Sequence, residues 1–192
     1  ELLTFVGQHI ATGLSRARAI EETRQRNAEL AVINEIGSAL AEQLDFEAII
    51  DLVGEKVRQI FDVQTMAIVL YDEVTGEISF PYSIDEGARY QTEPIHLGEG
   101  LNSTVIRERR PLLFASGAEA DAAGSITVGT PTESWLGVPI VAGDKVIGAV
   151  NLEDVRPHAF GESDVRLLST VAASMGVALE NARLFDETKR LL

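Results

Sequence analysis

The chain has 192 residues and no cysteine, which excludes disulfide bonds, thiolate metal sites and a cysteine nucleophile. Its formal charge of −14, from 30 acidic and 16 basic residues, argues against a nucleic-acid partner and against insertion into anionic membranes. No apolar run reaches the roughly 18 residues that span a bilayer, and there is no signal-peptide pattern, so we expect a cytoplasmic protein.

The first 43 residues are predicted to be helical, because they contain no proline and are rich in Ala, Glu, Arg and Leu from residue 14 onward. At 1.5 Å per residue such a helix would be about 65 Å long, more than one small domain can cover. We therefore expect part of it to meet another chain. An apolar seam with spacings of three and four runs along it, formed by Leu30, Ile33, Gly37, Leu40 and Leu44. Such a seam can pack either on its own domain or on a partner helix.

An internal repeat suggests the origin of this helix. Residues 2–26 resemble residues 167–191, and both segments contain Ala-Arg-x-x-x-Glu-Thr. We interpret residues 1–29 as the closing helix of a preceding copy of the domain with its linker, and residues 30–192 as the domain itself. The alternative is two unrelated amphipathic helices. The chain begins at Glu1 within this predicted helix, so we expect it to be a piece of a longer protein.

A second helix is predicted from Asp45 to about Phe61. Asp45 is a favourable N-cap, Leu44 and Ile49 fit a hydrophobic staple, and the apolar residues that follow have the period of a helix. Strands are then predicted over 65–71 and 77–82, joined by a hairpin loop, followed by a polar stretch over 83–93.

A short helix from Asn102 to about Arg109 and a strand over 112–114 come next in the prediction. Residues 116–133 are small and rich in glycine, and a loop of that length is typical of a lid or a binding loop. Residues 134–154 read as two apolar strands joined at Gly143-Asp144, and such strands are usually central in a sheet.

The last helix is predicted to begin near Gly161 and to run to the end of the chain. Its apolar residues again recur three and four apart, at Leu168, Val171, Met175, Ala178, Ala182 and Phe185. We predict that these six residues form a homodimer interface together with Leu30, Ile33, Gly37 and Leu40. On this prediction, Leu168→Glu or Val171→Glu weakens dimerisation.

Four short motifs in this order resemble those of a GAF domain, over about residues 30–192. They are Leu97-Gly98-Glu99-Gly100-Leu101, Ser134-Trp135-Leu136-Gly137-Val138-Pro139-Ile140, Ile147-Gly148-Ala149-Val150-Asn151-Leu152-Glu153 and Phe160-x-x-x-Asp164-x-x-Leu167-Leu168. The resemblance implies an α+β fold with an antiparallel sheet of five or six strands. It also implies helices on one face of the sheet and a ligand pocket on the other, under the loop before the central hairpin.

The same resemblance implies parallel homodimers joined through the first and last helices. Tandem GAF domains of this kind are similar to those of bacterial signalling proteins whose output is a class III nucleotide cyclase or a histidine kinase. Cyclic-nucleotide-binding members carry Asn-Lys-Phe-Asp-Glu, whereas the nearest stretch here, residues 151–154, lacks the Lys and the Phe. Bilin-binding relatives and the free methionine sulfoxide reductase branch both use cysteines, and this chain has none.

The candidate ligand-binding residues are Tyr71, Gly98, Gly100, Leu101, Asn102, Ser103, Thr104 and Trp135. The free N–H groups of Gly98-x-Gly100 before a helix could bind an anion, but an ordinary glycine turn and cap is the alternative that we favour. Trp135 could line the pocket or belong to the core.

No catalytic or metal site is predicted. His9, His96 and His158 lack metal-ligand spacing, and no serine, histidine and acid arrangement stands out. We therefore expect no cofactor and no enzymatic activity. The leading hypothesis is a regulatory sensory module that binds a small molecule and signals through dimeric helices to an output domain. The alternative is a ligand-free dimerisation module whose cavity is filled by Leu101, Leu112, Phe114 and Trp135.

Overall fold

The computed structural model describes residues 2–41, 43, 45–126 and 129–190, with the backbone alone for residues 2–12. Among these residues the helices are α1 (Leu2–Ala41), α2 (Phe46–Phe61), α3 (Gly100–Glu108), α4 (Gly117–Ala122) and α5 (Glu162–Arg190). The strands are β1 (Thr65–Tyr71), β2 (Glu77–Asp85), β3 (Ala88–Arg89), β4 (Ile95–His96), β5 (Leu112–Phe114), β6 (Ser134–Ala142) and β7 (Lys145–Asp154). Within the described residues, no helix has the length and apolar character that a membrane crossing needs.

Two compact units divide the chain, one up to Glu35 and one from Ile36 onward. The first unit consists of helix, and its Leu14, Ile20 and Leu30 side chains are exposed. The second unit holds the sheet and the remaining helices. The interpretation of residues 1–29 as the end of a preceding domain stays a prediction.

Helix α2 begins where its sequence predicts. Asp45 has an extended backbone, and its side chain accepts a hydrogen bond of 2.8 Å from the N–H of Ala48, which confirms the N-cap. Leu44, the predicted staple residue, lies outside the described residues. The helix ends at Asp62, whose left-handed backbone stops the helical pattern.

The predicted α+β architecture with an antiparallel sheet is confirmed. In the described residues the strand order is β3-β2-β1-β7-β6-β5, and β4 also pairs with β2. The sheet therefore has seven strands rather than five or six, because the predicted polar stretch contains the two-residue strand β3 and a second two-residue strand, β4, follows it. As predicted, β7 is central, since it lies between β1 and β6.

Close backbone approaches explain two glycines. A Cβ on Gly148 in β7 would overlap the carbonyl oxygen of Val69 in β1, and a Cβ on Gly176 in α5 would overlap that of Val141 in β6. Any side chain at Gly148 would therefore separate the two central strands, and one at Gly176 would push α5 away from the sheet.

Helices α2 and α5 pack on one face of the sheet, with α5 against β6 and α2 against β1 and β2. The short helix α3 contacts β6 and β7, and its Leu101 and Val105 belong to a hydrophobic cluster with Val69, Trp135 and Ala149. Side chains alternate between the faces of a strand, so this cluster forms a second core layer on the opposite face. The two faces of the sheet thus have different covers, long helices on one and short segments on the other.

The seam predicted for dimerisation lies mostly inside the domain. On α5 the buried members are Leu168, Val171, Met175, Ala178 and Ala182. Helix α5 packs on β6 and α2, so its buried side is used within this chain. Leu40 is also buried, Ile33 and Gly37 are half-buried, and Leu30 and Phe185 are exposed. Pairing with a second copy stays a prediction, and it requires another face of α5.

Candidate functional site

A cavity of about 260 Å³ lies on the α3 side of the sheet. Strands β1, β2, β6 and β7, helices α3 and α4, and parts of the 116–133 segment contribute to its walls. The lining residues are Ala67, Phe80, Tyr90, Thr92, Ile95, Glu99, Gly100, Leu101, Asn102, Gly117, Ala120, Asp121, Ser125, Ile126, Thr132, Glu133, Ser134, Trp135, Asn151 and Glu153. The cavity is slightly smaller than most drug-sized ligand sites, which suits a small metabolite.

Half of the candidate ligand-binding residues line this cavity. They are Gly100, Leu101, Asn102 and Trp135. Tyr71 packs against the hydrophobic cluster beside the cavity without lining it. Gly98, Ser103 and Thr104 also lie outside the lining.

The glycine turn before α3 uses its donors internally. The N–H of Gly98 donates to Ser103 Oγ at 3.2 Å, and the Ser103 hydroxyl donates to the carbonyl oxygen of Glu99 at 2.6 Å. Ser103 is fully buried by these contacts. The N–H of Gly98 is thus occupied within the turn, and Glu99 at the N-cap makes no side-chain capping bond. The choice between an ordinary turn and an anion site stays a prediction.

A chain of polar side chains crosses the cavity wall. Asn102 Nδ2 donates to Asn151 Oδ1 at 3.2 Å, and Asn151 Nδ2 donates to Glu153 Oε1 at 3.1 Å. The hydroxyl of Thr132 donates to the other oxygen of Glu153 at 2.9 Å. This arrangement connects α3, β7 and the 116–133 segment through one carboxylate.

Sequence reasoning missed Thr132, Asn151 and Glu153 as site residues. Asn151 and Glu153 are two apart on β7, so they share one face of the sheet. Polar residues alternating within an otherwise apolar central strand were the available signal, since a buried polar group needs partners.

Burial dominates the electrostatics of Glu153. Desolvation raises the pKa of its carboxyl group, while hydrogen bonding from Thr132 and Trp135 lowers the pKa and the charge of Asp85 raises it. The net pKa lies above the ordinary value, because burial disfavours the charged form.

An apolar floor lies beside the polar chain, since Trp135 on β6 is the direct partner of Glu153 on β7. Trp135 is largely buried, and its ring lies 6.2 Å from that of Phe114 at a tilt of 47°. A Cβ on Gly137 would overlap the Trp135 ring, so the glycine makes room for the indole. Trp135 thus belongs both to the core and to the cavity wall, which reconciles the two interpretations of this residue.

Beside the bond from Thr132 to Glu153, further hydrogen bonds attach the 116–133 segment to β2 and join its two ends. The backbone N–H and the hydroxyl of Thr130 donate to Asp85 Oδ2 at 3.1 and 3.3 Å. The N–H of Gly117 donates to Glu133 Oε2 at 3.2 Å. The segment was predicted as a loop, but it contains α4, which Ser116 caps by accepting from the N–H of Glu119. Residues 127 and 128 of this segment lie outside the described part.

The ionisable groups of the cavity wall are acidic. Counting the described residues, the lining carries four carboxylates, from Glu99, Asp121, Glu133 and Glu153, and no Lys, Arg or His. Among the residues that the structure describes, no three His, Asp or Glu side chains gather as a metal site would require. The walls thus favour ligands that donate hydrogen bonds.

Comparison with known sequences gives one family. Residues 43–180 match the GAF domain family. The formate hydrogenlyase transcriptional activator FhlA of Escherichia coli strain K12 is 21% identical over 164 residues, covering 81% of this chain and 24% of the activator. The formate hydrogenlyase transcriptional activator of Salmonella typhimurium strain LT2 is 22% identical over 166 residues, also covering 24% of its length. The chain thus spans about a quarter of these relatives.

Solved structures share the fold. The GAF domain of an Acinetobacter phosphoenolpyruvate-protein phosphotransferase superposes with a TM-score of 0.73 at 19% identity, covering 82% of this chain and 96% of that one. Free methionine-R-sulfoxide reductase from Neisseria meningitidis, in complex with its substrate, gives 0.71 at 18%, covering 82% and 91%. Residues 122 to 287 of a methyl-accepting chemotaxis protein give 0.65 at 16%, covering 78% and 98%. At these identities the likeness concerns the fold alone.

Proposed function

This chain belongs to the GAF domain family, and we propose that it is a regulatory sensory module that binds a small molecule and signals to an output domain. The observation that carries the proposal is the cavity of about 260 Å³, with its apolar floor and its polar chain from Asn102 to Glu153. A site with few placed polar groups on an apolar wall is what ligand recognition requires.

The cavity wall is bonded to the segment that leads into α5. Ser134 lines the cavity, donates to the carbonyl oxygen of Arg156 at 2.6 Å and accepts from the N–H of Ala159 at 3.1 Å. The N–H of His158 donates to the carbonyl oxygen of Ala115 at 2.9 Å, just before the 116–133 segment. We propose that a ligand shifts α5 through these bonds, which requires different affinities for two arrangements of the helix.

The exposed face of α5 is our proposed dimer surface. Val177 is 60% exposed and Leu184 is 46% exposed, and Phe185 beside them is also exposed. Val177 and Leu184 are seven residues apart and therefore lie on one line along the helix, as in a coiled coil. We propose a parallel homodimer through this line, in place of the buried seam. On the first unit, exposed residues of α1 such as Leu30 are a separate candidate surface for pairing.

An output domain elsewhere in a longer chain is part of the proposal. The match covers only 24% of the relatives' length, which supports a sensory piece within a larger protein. The repeat at residues 2–26 supports a preceding domain of the same family. We propose no enzymatic activity for this domain, since thiol chemistry is impossible without cysteine.

The rival function is a ligand-free dimerisation module with a filled cavity. Leu101 and Trp135 line the cavity and leave it open, while Leu112 and Phe114 pack in the cluster behind it. These positions favour the ligand-binding function.

Tryptophan fluorescence gives a direct test, because Trp135 is the only tryptophan in the chain and lines the cavity. We expect at least one member of a panel of cyclic nucleotides and small metabolites to change the emission of Trp135 and to raise Tm. Trp135→Phe, which removes the signal, is the control for fluorescence that arises elsewhere. An unchanged emission and an unchanged Tm across the panel would contradict ligand binding.

A further inference from the structure

The direction of the hydrogen bonds in the polar chain determines which donors and acceptors remain free to bind a ligand. Asn102 donates to Asn151, and Asn151 donates to Glu153, so both amides direct N–H groups toward the carboxylate. Asn102 Oδ1 is buried and has no hydrogen-bond partner within the described residues. The Glu153 carboxylate accepts from Asn151, Thr132 and Trp135, although a carboxylate has about four acceptor positions. The unused capacity of this chain is Asn102 Oδ1 and the remaining acceptor capacity of Glu153, beside one further N–H on each amide.

The Glu153 carboxylate also lacks a cationic partner among the described residues. Its side chain is partly buried, and Asp85 adds a like charge nearby. Within the described part of the chain, the lining supplies three further carboxylates and no basic side chain. A buried charge is normally compensated by a counter-ion, so the missing positive charge points to the ligand.

The rest of the cavity specifies an apolar body of limited size. Trp135, Leu101 and Phe80 form apolar walls. One water molecule occupies about 30 Å³ in the liquid, so a cavity of about 260 Å³ has room for a ligand of roughly nine non-hydrogen atoms, if each takes the space of one water. Aromatic rings also attract cations through their faces, so Trp135 and Phe80 are compatible with a positive charge.

We propose that the cavity binds a small organic ammonium ion whose N–H groups donate to Glu153 and whose apolar body packs on Trp135. This assignment rests on the proposed ligand-binding function, because it names the chemical class that the same cavity accepts. An anionic ligand is disfavoured by the four carboxylates, which repel it.

The test uses three probes with one carbon skeleton and different charge. They are 2-phenylethylamine, 2-phenylethanol and phenylacetate, each measured by calorimetry at pH 7 and by the emission of Trp135. We expect the ammonium ion to bind at least about tenfold more tightly than the alcohol, because its hydrogen bond to Glu153 is charge-assisted and therefore stronger. Phenylacetate is expected to bind most weakly.

Two variants locate the charge that is responsible. Glu153→Gln should weaken binding of the amine about tenfold while leaving the alcohol within about twofold. Glu99→Gln changes a wall carboxylate that makes no capping bond, so we expect the fold to stay intact. This variant should weaken binding of the amine by up to about fivefold. Glu73→Gln, an exposed acid paired with Lys145 outside the cavity, is the matched control and should change neither affinity.

The outcomes separate the two proposals. If the alcohol or phenylacetate binds as tightly as the amine, or if neither cavity variant weakens the amine, the ammonium assignment is overturned while ligand binding survives. If none of the three probes binds, the ammonium assignment is overturned as well. The ligand-binding function fails only if the metabolite panel also leaves Trp135 unchanged.

Discussion

The hydroxyl of Ser134 donates a hydrogen bond of 2.6 Å to the carbonyl oxygen of Arg156, 22 positions further along the chain. The same oxygen accepts from the N–H of Ala159, so one side chain satisfies two backbone groups of the segment before α5. Ser134 is buried and lines the cavity. This residue thus connects the wall of the candidate site to the helix that we propose carries the signal.

Ser134→Ala removes both bonds and leaves two backbone groups without partners. We expect the free energy of unfolding to fall by about 1–3 kcal/mol, the cost of a buried polar group that loses its partner. Urea denaturation followed by circular dichroism measures this change. Ser38→Ala, at an exposed position of α1, is the matched control and should have little effect. A stability equal to that of the wild type would show that water replaces the hydroxyl.

Gly54→Ala tests the packing of α2 on the sheet. A Cβ at Gly54 would overlap the ring of Tyr82, which is almost fully buried and cannot move freely. We expect a loss of about 1–3 kcal/mol from overpacking. Gly37→Ala is the control, because nothing lies within 4 Å of its added Cβ. Glycine to alanine at an open helical position should stabilise the protein by up to about 1 kcal/mol. The changes in the free energy of unfolding should therefore have opposite signs in the two variants.

The raised pKa of Tyr82 predicts that the protein loses stability at alkaline pH. Burial and the hydrogen bond to Glu55 Oε1 at 3.0 Å raise its pKa from 10.0 to about 12. The folded state therefore holds the phenolic proton more tightly than the unfolded state. Its contribution to stability is complete below pH 10 and is lost as the pH rises from about 10 to about 12.

Tyr82→Phe separates this effect from other alkaline titrations. The variant lacks the phenol, so the difference in stability between wild type and variant should shrink between pH 10 and pH 12. Guanidinium denaturation at pH 8, 10 and 11.5 measures it. If the difference in unfolding free energy between wild type and Tyr82→Phe stays constant across this range, the pKa of Tyr82 is not raised in the folded state.

Glu153→Gln should leave the protein at least as stable at pH 7. Because burial raises the pKa of Glu153, the folded state binds its proton more tightly than the unfolded state. Wild-type stability should therefore fall as the pH rises from the ordinary value of 4.5 through the raised pKa, and the variant should lack this decrease. Urea denaturation at pH 5 and pH 7 tests this, with Glu73→Gln as the control. A variant that is much less stable at pH 7 would mean that the hydrogen bonds to the carboxylate outweigh the cost of burying it.

Two substitutions on α5 distinguish its core face from the proposed dimer face. Leu168 is 0% exposed, so Leu168→Glu buries a charge and should unfold the domain, rather than only weakening a dimer as the sequence had suggested. Val177→Glu, at an exposed position, should keep the circular dichroism spectrum and lower the mass in analytical ultracentrifugation from dimer to monomer. An unchanged mass for folded Val177→Glu would remove this face from the proposed interface.

Much of the architecture could be read from local patterns. The N-cap at Asp45, the hairpin at Gly143-Asp144 and the central place of β7 each depend on residues close together in the chain. The sequence did not predict the short strands β3 and β4, because a strand of two residues exists only through its pairing with β2. It did not predict α4 either, because this six-residue helix lies in a segment of small residues rich in glycine.

The succession of helices and strands therefore follows from period, caps and turns, which are local properties of the sequence, and the resemblance to GAF domains implied the antiparallel sheet. The buried side of α5 depends on tertiary packing, because a seam with spacings of three and four is the same for a core and for a coiled coil. Tertiary packing also brought Asn102 to Asn151, 49 positions away, and so built the polar wall of the cavity. Such a contact depends on strand register and helix packing, which the hydrophobic burial of the whole domain sets.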